Sequence, residues 1–132
     1  QFSKLMSMKG PVLYWFEIVS NTDREDIRFA IDRYAMTNNA KATPALKKYV
    51  NLNSKCLYVG KVKRNFWGRV IQHLGFYKVE ATQGLQLYYW AKKLDLKLKL
   101  HCYEFEYDMG DLIALFELEL ARHKEPIIGK HS

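Results

Sequence analysis

Arg69 and His73 stand four residues apart, just after an apolar run that contains a glycine, CLYVGKV. Residues at this spacing share one face of an α-helix, so a guanidinium and an imidazole can point at one locus. Arginine binds phosphate through paired hydrogen bonds, and histidine can position water or transfer a proton. Considered alone, such a pair is more often part of a solvated helix face. It indicates phosphate chemistry only together with other groups.

Glu117 is a carboxylate with unusual neighbours. The residues three and four positions away from it in the chain are all apolar, namely Ile113, Ala114, Leu120 and Ala121. A carboxylate on an apolar helix face is costly unless a cation from elsewhere in the fold, a metal ion or water at the helix edge compensates it. Mg²⁺ suits this role because it takes one or two protein carboxylates and completes its shell with water and phosphate oxygens. All three explanations are open at this point.

Glu119, two residues further on, has different neighbours. Arg122 and His123 follow it by three and four residues, which predicts an ion pair on the helix surface. Glu119 is therefore predicted to have a structural role.

Two tyrosines, Tyr14 and Tyr58, lie in strand-like runs, VLYWF and LYVGK. A core aromatic whose hydroxyl finds a partner is the default interpretation of each. Gly60, at the predicted end of the second strand, would let a backbone or a ligand approach closely. Lys61 follows directly, and it could contact phosphate or be solvated.

The elements that must position these residues can be traced in chain order. GPVLYWFEIVS predicts a buried strand. TDREDIRFAIDRYAM predicts a helix capped by Thr22 or Asp23, and TPALKKYV predicts a second helix with Thr43 as N-cap and Pro44 in its first turn. These two helices would form a helical insert over about residues 21–52, before a second strand in KCLYVGKV.

The second half of the chain alternates helices with one more strand. Asn65 is predicted to cap a helix over about residues 66–74 that ends at Gly75, and GLQLYYWAKKL favours a short helix. LDLKLKLHCYEFEY predicts a half-buried strand with a basic outer face, and GDLIALFELELARHKEP predicts a helix that stops near Pro126. This order indicates an α+β fold in one domain over residues 1–132, with a small three-stranded sheet, mixed or antiparallel, flanked by helices.

The composition narrows the class of protein. The 132 residues include 21 Lys and Arg against 14 Asp and Glu, a net charge of +7, which favours polyanionic partners such as nucleic acid. Cys56 and Cys102 lack the spacing of a zinc site or a disulfide framework. Because no apolar run approaches the roughly 18 residues of a membrane span, we expect a soluble, cytoplasmic protein with no membrane partner. The first residue, Gln1, fits a domain taken from a longer protein.

In combination, these motifs resemble the GIY-YIG nuclease family, which includes homing endonucleases, certain restriction enzymes and the incision domain of excision-repair nucleases. The resemblance rests on VLYWF, LYVGK, Arg69 with His73, and a glutamate, Glu117, nine residues before Pro126. It covers about residues 10–130 apart from the insert. The first motif lacks the usual glycine, and about forty residues separate the two tyrosines. The chain therefore resembles a divergent member with an insert between the two motifs.

The resemblance implies a DNA endonuclease that hydrolyses a phosphodiester bond with a single Mg²⁺ or Mn²⁺ ion, in a role such as repair or restriction. It assigns catalytic roles to Tyr14, Tyr58, Arg69, His73 and Glu117, with Glu117 as the metal ligand. Tyr14 or Tyr58 would help to deprotonate the attacking water, and Arg69 and the metal would stabilise the added charge.

A group of basic residues could follow the DNA backbone. Each of them alone is more often an ordinary solvated cation. The group comprises Lys61, Lys63, Arg64, Lys97 and Lys99, together with Lys92, Lys93 and His101.

Two alternatives use the same fold or the same charge. A noncatalytic DNA-binding or scaffold domain would need cations more than a carboxylate that faces phosphate. An RNA-binding module would stack bases on aromatics such as Trp67 or Tyr77, but it leaves Glu117 unexplained.

Overall fold

The structure, a computed structural model, describes residues 2–37, 44–47, 53–75, 85, 87–91 and 94–129. The predicted α+β class is confirmed, and the three-stranded sheet is antiparallel. The elements are α1 (Phe2–Ser7), β1 (Val12–Ile18), α2 (Arg24–Ala35), β2 (Cys56–Val62), α3 (Phe66–Leu74), α4 (Leu87–Trp90), β3 (Leu98–Glu104), a 3-10 helix (Tyr107–Met109) and α5 (Ile113–Lys124).

The first strand, β1, lies at the centre of the sheet, in the order β2-β1-β3. Six of its seven residues are buried, because both of its faces are covered by apolar side chains. The main core contains side chains from β1, α3 and α2. They are Val12, Tyr14 and Phe16 of β1, Phe66 and Val70 of α3, and Ile27 and Ile31 of α2. Trp15 points to the opposite side, where it packs with Ala121 of α5. The sheet therefore separates two apolar clusters of unequal size.

Helix α3 begins and ends where the sequence predicts. The Asn65 side chain accepts a hydrogen bond from the Gly68 backbone N–H at 3.3 Å. At the other end Gly75 has φ 96°, a left-handed conformation that glycine adopts without steric cost. The predicted helices α2, α4 and α5 are also present, and α2 begins with a capping box between Asp23 and Asp26.

The second helix of the insert is a prediction that the described residues contradict. Residues 44–47 are not helical. Instead Leu46 forms an isolated antiparallel bridge with Ile128, and the Lys47 N–H donates to the Ile127 carbonyl at 2.8 Å. Pairing with the chain that follows α5 supplies the backbone hydrogen bonds that a helix would otherwise provide, so the tertiary partner overrides local propensity. The rest of this predicted helix lies outside the described residues.

The described residues also show the state of the two cysteines and the lengths of the helices. Cys56 and Cys102 are both free thiols, as their spacing predicts. Among the helices in the described ranges, α2 and α5 are the longest, with twelve residues each, and none of them has the length and apolarity needed to cross a bilayer.

Candidate active site

Strands β1 and β2 and helix α3 bring four of the predicted site residues together. The Tyr14 hydroxyl lies 2.7 Å from Nε2 of His73. The Tyr58 ring lies 6.3 Å from the Tyr14 ring and 5.0 Å from the imidazole, measured between centroids. Arg69, one turn before His73 on α3, acts electrostatically on both tyrosine hydroxyls. Residues that are 59 positions apart in the chain thus meet at one locus.

His73 is fully buried, and both of its ring nitrogens have partners. Nδ1 accepts a hydrogen bond from the Leu85 backbone N–H at 3.0 Å, so the proton of the neutral ring lies on Nε2 and is donated to the Tyr14 hydroxyl oxygen. Burial, with a smaller contribution from the positive charge of Arg69, lowers the pKa of His73 to about 3. The imidazole is therefore neutral at physiological pH, and it faces Tyr14 rather than solvent.

Tyr14 is as deeply buried as its histidine partner, with no exposed surface. Burial raises the pKa of its hydroxyl well above the usual range, and the nearby Tyr58 and Glu117 add to this effect. Arg69 opposes it through its charge and a hydrogen bond. Tyr14 is thus a neutral phenol inside the protein, whereas Tyr58 is partly exposed and borders the same locus.

The Arg69 guanidinium is held by its own helix. Its Nη1 donates to Oε1 of Gln72 at 2.7 Å. Burial lowers the pKa of Arg69, but the interactions with Tyr14 and Tyr58 outweigh this effect and the net pKa is raised. Arg69 consequently remains a cation beside two phenolic oxygens. Gln72 was not predicted as a site residue, although residues three apart on a helix are neighbours and its position relative to Arg69 indicates a contact.

Gly60 explains how Tyr14 reaches this position. The two residues are direct neighbours in the β1–β2 register. A Cβ atom at position 60 would collide with the Tyr14 hydroxyl and would lie 2.8 Å from the Tyr58 ring. The sequence suggested that Gly60 ends the second strand, but β2 continues to Val62. What approaches the glycine backbone closely is the phenol of Tyr14.

Glu117 lies beside this group, on the α5 side of β2. Its Oε1 is 3.3 Å from Nζ of Lys61, and the two side chains are 15% and 36% exposed. A cation from another element therefore compensates this carboxylate, which is one of the three explanations that the sequence left open. Glu119 pairs with Arg122 at 3.1 Å on the exposed face of α5, as predicted.

The fit of this site to Mg²⁺ rests on one carboxylate. No cluster of three or more His, Cys, Asp or Glu side chains suited to a metal occurs in the described ranges. Glu117 nevertheless supplies the hard oxygen ligand that Mg²⁺ prefers, and this ion commonly takes only one or two carboxylates and completes its shell with water and substrate phosphate. The donor set is compatible with a weakly held ion that must compete with Lys61.

The predicted backbone-contacting cations occupy different surroundings. Lys63 and Arg64 are exposed beside a groove that also contains Tyr107 and Asp108, and Lys63 Nζ lies 3.7 Å from Asp111. Lys97 and Lys99 are exposed. Three of the residues singled out in the sequence, Tyr77, Lys92 and Lys93, lie outside the described residues.

His101 does not share the exposure of the neighbouring lysines. Its ring stacks on Trp15 with centroids 4.3 Å apart, and its Nε2 lies 2.8 Å from Oε1 of Glu17. Because Trp15 and Glu17 of β1 hold the imidazole, we exclude His101 from the group of cations that could follow a phosphate backbone.

Comparisons with protein-family models, curated proteins and solved structures found no match to this chain. The support for any function therefore comes from the chain's own motifs and from the geometry of this site.

Proposed function

We propose that this chain is a metal-dependent DNA endonuclease domain that hydrolyses a phosphodiester bond. The single observation that carries the proposal is the convergence of Tyr14, Tyr58, Arg69 and His73, with Glu117 close enough to influence Tyr14 electrostatically. A core built only for stability gains little from an arginine placed beside two phenols next to a carboxylate, because buried charged groups are costly. Phosphodiester hydrolysis needs a cation to stabilise the developing negative charge and a proton acceptor for the attacking water, which Arg69 and Tyr58 could supply.

The two tyrosines differ in access, which suggests different roles. Tyr58 is partly exposed, so its hydroxyl can pass its own proton to solvent while its oxygen accepts a proton from the attacking water. Tyr14 has no exposed surface and we assign it a positioning role, in which it connects His73 to the Tyr58 and Arg69 pair. In hydrolysis the water oxygen bonds to phosphorus while the bond to the leaving sugar oxygen breaks, and solvent protonates that oxygen.

Arg69 would bind the phosphate and stabilise the negative charge that grows on its oxygens. Arg69 also interacts with Tyr58, so the cation and the group that we propose as proton acceptor lie close together. Glu117 would hold the metal ion, which when bound supplies Lewis-acid stabilisation of the same charge. Lys61 would then be released from its ion pair and could contact the phosphate backbone.

The net charge of +7 favours a nucleic acid as substrate. The two free thiols fit a reducing compartment such as the cytoplasm. A noncatalytic DNA-binding or scaffold domain, or an RNA-binding module, would need the cations but not the convergence of Tyr58, Arg69 and Glu117.

The test is nicking of supercoiled plasmid by the pure chain with Mg²⁺ or Mn²⁺, with an EDTA sample alongside. We expect Glu117→Gln to abolish metal-dependent nicking. Tyr58→Phe should lower the rate by about 100-fold or more, because that is the usual contribution of a positioned proton acceptor. Since Lys61 is partly exposed and can be hydrated when unpaired, Glu117→Gln should change the free energy of unfolding by less than about 1 kcal/mol.

The matched control is Glu119→Gln, which removes a carboxylate two residues away on the exposed face of the same helix. It should leave nicking unchanged. If the unaltered chain binds DNA but cleaves neither plasmid, single strands nor branched DNA with either metal, the catalytic proposal is wrong and the binding-domain alternative takes its place.

A further inference from the structure

A cavity of about 500 Å³ lies between α2 and α4, lined by residues that the candidate active site does not use. Its α2 wall is formed by side chains at positions 26, 29, 30, 33 and 34, which form one continuous stripe along the helix. Thr37, just beyond the end of α2, extends this wall. Adjacent positions of the same helix, Ile27 and Ile31, are buried in the main core. Helix α2 thus packs one face on the protein and turns a second, partly aromatic face to the cavity.

Aromatic rings form the walls of this cavity. Tyr34 and Tyr89 both line it, and their rings contact each other with centroids 5.8 Å apart at an interplanar angle of 32°. Trp90 is almost completely buried, and its indole N–H donates to the Leu85 carbonyl at 2.6 Å. The Trp90 ring is therefore a fixed surface, held from behind by a backbone hydrogen bond.

Phe29 and Arg33 stand at the open side of the cavity. Phe29 is 61% exposed and belongs to neither apolar cluster. The Arg33 guanidinium lies over it, 5.3 Å from the ring centroid, and among the described residues Arg33 forms no ion pair. An exposed phenylalanine beside a cation contributes little to folding, but the two present a flat apolar ring and a positive charge to a ligand.

These features define the chemistry of the occupant. A flat aromatic ring would stack on such side chains, and an anion would be drawn to Arg33. The other end of the stripe carries Asp26, about 10 Å away along the helix. This carboxylate repels anions and can accept hydrogen bonds. The cavity therefore suits a nucleotide whose phosphate lies at the Arg33 end, and the charge of +7 favours one that belongs to a polyanionic strand.

We propose that the α2–α4 cavity binds an unpaired nucleobase of a nucleic-acid strand. The base must be unpaired because a base within a duplex is stacked and cannot enter a pocket until it is extruded. This inference deepens the proposed function and rests on its nucleic-acid part. It narrows the substrate class to single-stranded, flapped or otherwise distorted DNA.

A chain of three hydrogen bonds connects this cavity to the candidate active site. The Trp90 indole N–H donates to the Leu85 carbonyl, the Leu85 N–H donates to His73, and His73 donates to the Tyr14 hydroxyl. Because each group is buried and the bonds are 2.6 to 3.0 Å long, the wall of the cavity is held in a set position relative to Tyr14. A base held there would locate the strand relative to the reacting phosphate.

The experiment uses a short DNA single strand with one 2-aminopurine, whose fluorescence falls when it stacks on an aromatic ring. It is titrated with the chain in EDTA, so that no cleavage is required, and total strand binding is followed by anisotropy. We expect saturable quenching, with binding weakened about tenfold in Phe29→Ala and weakened also in Arg33→Gln. Leu115→Ala is the control, because Leu115 is an apolar helix residue of nearly equal exposure, 60%, on α5.

Results of three kinds would each overturn the inference. The first is strand binding without quenching, or no strand binding at all. The second is Phe29→Ala behaving like Leu115→Ala although both variants melt like the parent. The third is equal quenching by a paired 2-aminopurine in a duplex, or equally tight binding of the free 2-aminopurine nucleotide, which would indicate a small-molecule pocket. Quenching that depends on Phe29 would support the inference even if plasmid nicking failed, so the two proposals fail separately.

Discussion

His73 is buried, and both of its ring nitrogens have partners from distant parts of the chain, Tyr14 in β1 and the Leu85 backbone before α4. The Leu85 backbone sets the tautomer, and Tyr14 receives the remaining proton. The ring thereby orients a buried phenol without taking part in proton exchange with solvent. We interpret His73 as a positioning residue, in line with the neutral state that burial enforces.

The buried neutral state of His73 makes stability depend on pH. The folded-state pKa is about 3, whereas the ring of an unfolded chain titrates near 6.5. Between these values the unfolded state binds a proton that the folded state does not. The contribution of His73 to stability is therefore complete above about pH 6.5 and is lost as the pH falls toward 3, by at most about 1.4 kcal/mol per pH unit.

Urea unfolding between about pH 7 and pH 5 measures this effect, and we expect a loss of about 2 kcal/mol in the free energy of unfolding. His73→Gln keeps a donor and an acceptor but does not titrate, so it should flatten the profile. His123→Gln is the control, since that side chain is 77% exposed and is hydrated in both states. An unchanged slope in His73→Gln would contradict the buried neutral histidine.

Glu117 illustrates how far a single residue can be interpreted from its neighbours. Its apolar helix neighbours correctly predict a side chain that is mostly buried, and Lys61 is the cation from another element that the sequence left open as one explanation. Lys61 reaches Glu117 because α5 packs against β2, and no local spacing indicates this contact. No sequence pattern links positions 61 and 117.

At the scale of elements, the β1–β2 pair and α3 act as one unit. The register opposes Tyr14 to Gly60, and α3 follows β2 closely enough to bring Arg69 and His73 over the same strands. The missing side chain at position 60 leaves room for a phenol above the sheet. The glycine of the second motif is thus a packing requirement of the site.

Gly60→Ala tests this requirement. The added Cβ would collide with the Tyr14 hydroxyl and crowd the Tyr58 ring, so we expect a loss of about 1–3 kcal/mol in the free energy of unfolding, together with a loss of nicking. Thermal and urea unfolding give the first quantity. Gly110→Ala is the control, because a Cβ there meets its nearest atom at 3.4 Å, an ordinary contact. Equal stability of the two variants would show that Tyr14 does not lie against Gly60.

At the scale of the whole molecule, different parts of the sheet are covered to different extents. Helix α5 covers the β2 and β1 side of one face and carries Glu117. The exposed lysines of the β3 segment, Lys97 and Lys99, are left open to solvent. With a net charge of +7, these cations are the simplest source of long-range attraction for a polyanion.

Salt dependence of duplex DNA binding tests whether these lysines contact phosphate. Each such contact contributes about 0.9 to the slope of log K against log salt concentration. Replacing both Lys97 and Lys99 by glutamine should therefore lower the slope by about 2. Arg122→Gln removes an exposed cation that is already paired with Glu119 and should leave the slope nearly unchanged. A slope that the double variant does not alter would show that Lys97 and Lys99 do not contact DNA.

The sequence alone determined the features that depend on local chain chemistry. Asn65 and Gly75 bound α3 because capping and left-handed backbone conformations involve only adjacent residues. The alternation of leucines and polar residues before Cys102 identified β3, and the spacing of Arg122 and His123 from Glu119 identified an exposed ion pair. The α+β class followed from the order of these elements.

The remaining features came from tertiary packing, because they depend on groups that are distant in the chain. The pairing of residues 44–47 with the segment after α5 replaced a predicted helix. The Leu85 N–H that sets the His73 tautomer is a backbone group, which leaves no trace in side-chain patterns. Burial, likewise a property of the folded whole, made His73 neutral and gave Tyr14 and Tyr58 different exposure. Local chain chemistry identified the candidate residues, and long-range packing determined their partners and their burial.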